Sequence, residues 1–329
     1  MPDLAALAIR PENVASYIVF TDGVNVYAKN GLTGKIEYSN PGDVGDVLNY
    51  CISRLPANGG KIFIRAGTYT VNTPVTINRS GVMIEGEQLG YGAQPGAKLV
   101  LGGYFHMFTV TGQSFFAYFR NLYLYGSDQA RSAINIVNAN DVTVEHCFLH
   151  HFDYPFIQAA APLHILRVVD NWIETGKGWG VWTGGSGSID TVFIHNNYFF
   201  DVLNAVALTT VPTEIYGVVI SNNIIRATKE HGILVQRGAL VVVEGNAIYD
   251  CGTSAANTYS GIRLENVTGV LVKGNTVINY KTSSMKYAIE EVGTADYNLI
   301  VGNIVKSATP PAIVTVGANT VAANNVVLA

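Results

Sequence analysis

This sequence has no run of basic residues, no long apolar run and no even set of cysteines, and each absence removes a class of function. Lys and Arg number 20 against 24 Asp and Glu, a formal net charge of −4. Without a basic patch, nucleic acid and anionic membrane surfaces are not the expected partners. No apolar stretch reaches the roughly 18 residues that a spanning helix needs. The three cysteines, Cys51, Cys147 and Cys251, are odd in number and far apart. That argues against a disulfide framework, and they read as small buried apolar groups. No phosphate loop, nucleotide fingerprint or zinc spacing is present, so neither metal nor cofactor is expected. The opening MPDLAALAIRPENV offers only LAALAI as an apolar stretch, with no basic residue ahead of it, and makes a poor secretory leader. The expected location is nonetheless extracellular or virion-associated, through a leader removed before this numbering or through virion assembly.

What the chain does have is core material. Apolar residues make up 48% and charged ones only 13%, which is not the composition of a disordered chain. Val, Ile and Thr each outnumber Leu, which favours strands. Asn and Gly are abundant, which suits tight turns.

One motif recurs: a β-branched strand, a small or polar residue, an Asn, then alternating apolar residues. It appears as VVDNWIE around Asn171, FIHNNYFF around Asn197 and VISNNIIRA around Asn223. It returns as VVEGNAIYD around Asn246, LVKGNTVIN around Asn275, LIVGNIVKS around Asn303 and TVAANNVV around Asn324. FRNLYLYG at Asn121 and VEHCFLHH, with Cys147 in the Asn slot, are weaker copies, and successive spacings run from 21 to 29 residues. A second motif lies half a repeat ahead: SAINI (132–136), WGVWT (179–183), NAVAL (204–208), HGILV (231–235), SGIRL (260–264), YAIEE (287–291) and PAIVT (311–315), with YPFIQ (154–158) a loose copy.

Short strands at near-constant spacing, with no helical period between them, describe an all-β solenoid: a right-handed parallel β-helix of about ten coils over residues 61–329. No coil buries its apolar face alone, so stacking must build the core. The repeated Asn fits the same stacking, its amide bonding to the layers above and below. A leucine-rich repeat shares the period but needs a Leu consensus, and a β-propeller needs longer repeats.

Ahead of the coils, residues 1–42 hold a small β-meander, with Asp22-Gly23 and Asn30-Gly31 as turns. Residues 43–60 form an amphipathic helix. Val44, Val47, Leu48, Cys51, Ile52 and Leu55 share one face, with Asp43 as N-cap and Gly59 near the stop. Such a helix suits the open end of a solenoid, whose core and strand edges need cover. The helix, then GGKIFIRAGTY, then VTI and VMIEGE followed by Asn-bearing coils, resembles the pectate-lyase-like superfamily from about residue 43 to the end. Phage tailspikes and polysaccharide lyases share that opening. The resemblance implies the fold and leaves function open, because the matching residues are turn glycines and core positions.

Several of the superfamily's catalytic patterns are missing. There is no N-x-D strand, Asp pair or G-H-G as in polygalacturonase-like hydrolases, and His231-Gly232 lacks its leading Gly. The Asp-Pro-His-Glu pattern of alginate epimerases is absent, and no Asp cluster resembles the pectate-lyase calcium site, so calcium has no motif behind it. The positional reading therefore carries the site. In the second motif the middle residue should face outward. Stacking then makes a column of Asn135, Ile157, Trp182, Ala207, Leu234, Arg263, Glu290 and Val314. Beside it runs Tyr154, Trp179, Asn204, His231, Ser260 and Tyr287. Tyr154, Trp179, Trp182 and Tyr287 are the expected sugar-binding residues, since rings stack on the apolar faces of sugars. His231, Arg263 and Glu290 are the candidate catalytic residues. In a lyase, Arg263 would neutralise a uronate and His231 would take a proton. For hydrolysis, Glu290 with Glu265 or Asp201 with Glu230 could supply two carboxylates. The bland alternative is an Arg263–Glu290 ion pair beside an exposed His231. The pairs His150-His151 and Glu290-Glu291 are suggestive but common by chance.

Two functions follow. The first is a polysaccharide-binding β-helix acting on an acidic polysaccharide, as a pectate-lyase-like lyase in preference to a glycoside hydrolase. The second is a non-enzymatic structural or adhesive module, such as a virion tailspike, fibre or cell-surface part. The chain ends inside a repeat with no polar capping segment, which leads to the expectation of a homo-oligomer, a trimer, covering that end.

Overall fold

The computed structural model describes residues 15–90, 96–112, 114–128, 131–185, 187–209, 215–280 and 284–328. The chain winds as a right-handed parallel β-solenoid of about 10 turns with one short helix. Three parallel ladders run along it. Ladder one holds the strands that lead into each Asn corner, from Gly60–Ile64 to Val321–Ala323. Ladder two follows the corner, from Gly67–Val71 to Val326–Val327. Ladder three carries the second motif, from Val75–Ile77 to Ile313–Val314. In two coils ladders three and one are continuous, as the long strands Ile134–Glu145 and Ile157–Val169.

Strand alternation decides which side chains enter the core. In ladder two Leu124, Leu149, Ile173, Phe199, Ile225 and Ile248 stack in register and are fully buried. Each lies one strand spacing, about 4.8 Å, from the next, so the core is a continuous pile of aliphatic rows.

The Asn corner is built by hydrogen bonds between layers. The backbone N–H and the Nδ2 of Asn171 both donate to Asn197 Oδ1, at 2.9 and 3.0 Å. The same pair of bonds joins Asn197 to Asn223, Asn223 to Asn246, Asn246 to Asn275 and Asn275 to Asn303. Each Nδ2 also donates to a ladder-one carbonyl of the preceding coil, as Asn223 does to Ile194. The residue before each Asn has φ near +60°: Asp170, Asn196, Asn222, Gly245, Gly274 and Gly302. That conformation favours Gly, Asn and Asp, which is why the motif reads small-or-polar then Asn.

Two expected members of this stack sit one residue off. Asn121 and Asn324 occupy the positive-φ position, at 55° and 54°, and Leu122 and Asn325 follow them into the slot. Asn303 donates to Asn325 Oδ1 at 2.9 Å. Both corner positions welcome Asn, so residue type alone does not separate them. Cys147 does hold the slot: its N–H donates to Asn171 Oδ1, and the Leu122 N–H is directed at its thiol.

The helix Val44–Arg54 begins at Asp43, whose carboxylate accepts from the Gly45, Asn72 and Thr73 amides and from the Thr73 hydroxyl. Val44, Val47, Leu48, Cys51 and Ile52 are buried on its inner face. The meander strands Tyr17–Thr21, Asn25–Asn30 and Ile36–Pro41 pair antiparallel. The first also runs parallel to Gly60–Ile64, as a further rung on ladder one. At the other end Val321, Val326 and Val327 are more than half exposed. Among the described residues no helix is long and apolar enough to cross a membrane.

Candidate functional site

The outward face of ladder three gathers most of the residues singled out above. Register aligns Asn135, Gln158, Trp182, Ala207, Leu234, Arg263, Glu290 and Val314 in one column. One expected member is wrong: Ile157 points into the core, fully buried, and Gln158 takes the outward place. The neighbouring column slips by the same residue. Phe156 N–H bonds to the Trp179 carbonyl, so Pro155 aligns with Trp179 and Tyr154 lies one residue before it, on the loop. There Tyr154 and Tyr104 flank the Arg131 guanidinium, 5.6 and 5.4 Å from its centre. A one-residue slip turns every side chain of a strand over, and the loose copy YPFIQ carried that slip.

Outward register does not mean exposure here. Asn135, Ala207, Leu234 and Glu290 are all buried. Trp179 and Trp182 share a coil, are partly exposed, and lie nearly parallel with ring centroids 6.1 Å apart. Tyr287 is partly exposed four coils further along.

Between the tryptophans and Tyr287 lies a polar network. Arg263 reaches Glu265 Oε2 through Nε at 3.1 Å and Glu290 Oε2 through Nη1 at 3.2 Å, so one guanidinium bridges two carboxylates. Glu290 also accepts from the Ser260 hydroxyl at 2.8 Å and lies 3.9 Å from Lys286 Nζ. His231 accepts from the Ser260 N–H through Nδ1 at 2.9 Å and meets Tyr259 edge to face at 5.1 Å. Burial, reinforced by the Arg263 charge, lowers the His231 pKa to about 4. Neutral His231 therefore carries its proton on Nε2, a tautomer assigned from the hydrogen bonding, and its free ring edge donates rather than accepts. Asn204 Nδ2 donates to Glu230 Oε2 at 3.2 Å, and the Tyr259 hydroxyl donates to Glu230 Oε1 at 3.4 Å.

Other candidates fall elsewhere. Asp201 pairs with Lys229 at 3.6 Å and no contact joins it to Glu230. Glu291, adjacent to Glu290, faces inward and is fully buried, accepting from Asn298, Thr320, Val316 and Gly317. His150 ends a ladder-two strand and His151 follows it, with burial lowering the His150 pKa to about 4. The described residues contain no cluster of three or more metal-binding side chains.

Reading by motif missed Tyr259 and Lys286, which lie in variable loops, and a cleft of about 520 Å³ at the corner from ladder three to ladder one. Its walls come from Ile215-Tyr216, Gln236–Ala239 and Glu265–Thr268. Glu265 belongs to both the cleft and the ladder-three network.

Residues 204–327 match a family model described as a right handed beta helix region. Comparison with curated protein sequences gives no match. Among solved structures, the chain resembles a DFA-IIIase mutant from Arthrobacter chlorophenolicus A6 in complex with DFA-III, with TM-score 0.66, 16% identity, and coverage of 88% of this chain and 82% of that one. It also resembles DFA-IIIase from the same organism in complex with GF2, with TM-score 0.60, 15% identity and coverage of 88% and 85%. A third is ORF18 of Geobacillus virus E2, with TM-score 0.59, 11% identity, and coverage of 84% of this chain and 57% of that one. At these identities the likeness is one of fold, and the fold agrees with the pectate-lyase-like resemblance.

Proposed function

We propose that the chain binds a linear polysaccharide along the outward face of ladder three, with Trp179 and Trp182 as its stacking platform. The observation that carries this is the pair of near-parallel, partly exposed indoles on one coil, followed on later coils by a hydrogen-bonding network. Three strand spacings, about 14 Å in all, separate Trp182 from Arg263 along the axis. A sugar chain lying along the coil would meet rings first and polar groups next. Solved structures of similar fold that hold DFA-III or GF2 support a carbohydrate-related role.

For cleavage, the lyase reading gives Arg263 the substrate carboxylate and His231 the proton. The geometry supports binding more directly. Arg263 already balances Glu265 and Glu290, and the His231 lone pair is held by Ser260. Glu290 with Glu265 is the better-placed carboxylate pair, since one guanidinium spans both. Binding is expected without a metal, so a chelator should leave affinity unchanged.

The deciding experiment is isothermal titration with neutral and acidic polysaccharides, alongside assays for new reducing ends and for unsaturated-product absorbance. Trp182→Ala should weaken binding about tenfold or more, roughly 1.4 kcal/mol. An unchanged affinity overturns the platform. If cleavage is seen, Arg263→Gln should abolish it; surviving activity removes Arg263 from the chemistry.

A second reading, a structural or adhesive module of a virion or cell surface, is favoured by the likeness to the Geobacillus virus protein. An extracellular or virion-associated location suits both readings. A trimeric mass in solution with no measurable sugar binding would select the second.

A further inference from the structure

The cleft beside ladder three contains an arginine with nothing to hold. Arg65, Arg120, Arg167 and Arg263 are ion-paired. Arg79 donates to carbonyls at the end of the helix. Arg54, Arg131 and Arg226 lie over aromatic rings. Among the described arginines Arg237 alone has neither an ion pair, a hydrogen bond nor a ring, and it is exposed on the lining of the cleft. A second charged residue, Glu265, lines the same cleft but is already engaged by Arg263 at 3.1 Å. The cleft therefore presents one uncompensated cation.

The chain makes this space by shortening a turn. Leu208 and Val218 of one coil are in register with Val235 and Val241 of the next. The later connection is four residues shorter, and Ile215-Tyr216 of the one coil and Gln236–Ala239 of the next line the cleft together. Gly238, at φ +147°, keeps that turn tight; a Cβ there would stand 2.5 Å from Val241. Above the turn, Tyr216 offers a partly exposed ring, and Gln236, Asn266 and Thr268 offer amide and hydroxyl groups. About 520 Å³ falls within the roughly 300–1,000 Å³ usual for small-molecule sites.

We propose that this cleft is a subsite for a sugar unit bearing an oxyanion, with Arg237 grasping the oxyanion and Tyr216 lying against the ring. A planar guanidinium matches a carboxylate or a sulfate in two parallel hydrogen bonds. The proposal rests on the glycan-binding reading of ladder three, which it extends around the corner through Glu265.

The test is titration of the full chain with polygalacturonate, dextran sulfate and neutral dextran, for wild type, Arg237→Gln, Arg237→Lys and Trp182→Ala. Arg237→Gln should lose at least tenfold in affinity for an anionic glycan while leaving neutral dextran as in wild type. Loss confined to polygalacturonate identifies a carboxylate; loss confined to dextran sulfate identifies a sulfate. Arg237→Lys should recover part of the loss, because it restores charge without the fork. Unchanged affinity of Arg237→Gln for both anionic glycans overturns the proposal, as does a wild type that binds neither. An equal loss for dextran also overturns it, by showing an effect of shape and not of charge. If Trp182→Ala binds normally while Arg237→Gln does not, the ladder-three platform fails and the cleft stands.

Discussion

Asn223 links three successive coils with one side chain. Its Oδ1 accepts from the N–H and Nδ2 of Asn197, and its Nδ2 donates to Ile194 O and Asn246 Oδ1. Replacing it with Ala strands the Asn197 amide and the Ile194 carbonyl in a dry corner. At about 1–3 kcal/mol for each abandoned group, Asn223→Ala should cost about 3 kcal/mol. A urea midpoint that does not move would sink this account. Cys147 allows the opposite test. Its thiol stands where an amide oxygen would accept from Leu122, a poor acceptor in a strong acceptor's place. Cys147→Asn should raise the unfolding midpoint by extending the stack one coil, and Cys147→Ala should lower it. Burial pushes this thiol's pKa up to about 12, so alkylating reagents should leave the native protein unmodified there.

His231 ties the site to pH. Its folded pKa of about 4 lies below the ordinary value of 6.5, so the unfolded chain binds its proton first as pH falls. Its contribution is complete above about pH 6.5 and is lost as pH drops toward 4. His106 and His150, lowered to about 4 by burial, act in the same direction. Stability should therefore decline between pH 6.5 and 4. His231→Asn, which keeps an acceptor for the Ser260 amide without a titrating group, should flatten that slope. An equally steep slope in the variant would show that His231 is not responsible.

At the level of elements, the helix and the corner strands are held by different physics. The helix Val44–Arg54 docks through an apolar stripe and is fixed by Asp43, whose one carboxylate ties its first turn to residues 72 and 73. Asp43→Ala should destabilise by about 2 kcal/mol, the upper part of the range for an N-cap, because the bonds to residues 72 and 73 go with it. A loss of only a few tenths, read from denaturant unfolding, would show that solvent replaces those bonds. Helix face and cap were both legible in the sequence, since a 3.6-residue period is a local property. The strand 157–160 was not. Its neighbours carry small-apolar-variable-apolar patterns, whereas YPFIQ satisfies two registers a residue apart, and only pairing with Val181–Gly184 chooses between them.

Over the whole molecule, stability should be graded along the axis. Each coil contacts only its neighbours, and the first is closed by the helix and the meander strand Tyr17–Thr21 while Val321, Val326 and Val327 stay half open to water. Amide exchange should be slowest in strands such as Val82–Gly86 and fastest in Val321–Ala323 and Val326–Val327. Uniform protection from end to end would mean that the last coil is covered, by another copy of the chain or by other means. Sedimentation of the same sample would show whether oligomerisation supplies that cover.

The sequence by itself determined the solenoid, its period, the Asn corner and the helix that closes one end. All four follow from repetition: a pattern copied in each coil is read many times, and errors in single copies such as Asn121 and Asn324 average out. Only the tertiary structure decided what the outward face offers. Burial of Ala207, Leu234 and Glu290, the bridge from Arg263 to two glutamates, and the lone Arg237 over a shortened turn depend on loops that differ from coil to coil. Such loops repeat nothing, and their contacts arise between residues some 25 positions apart, where no local pattern reaches.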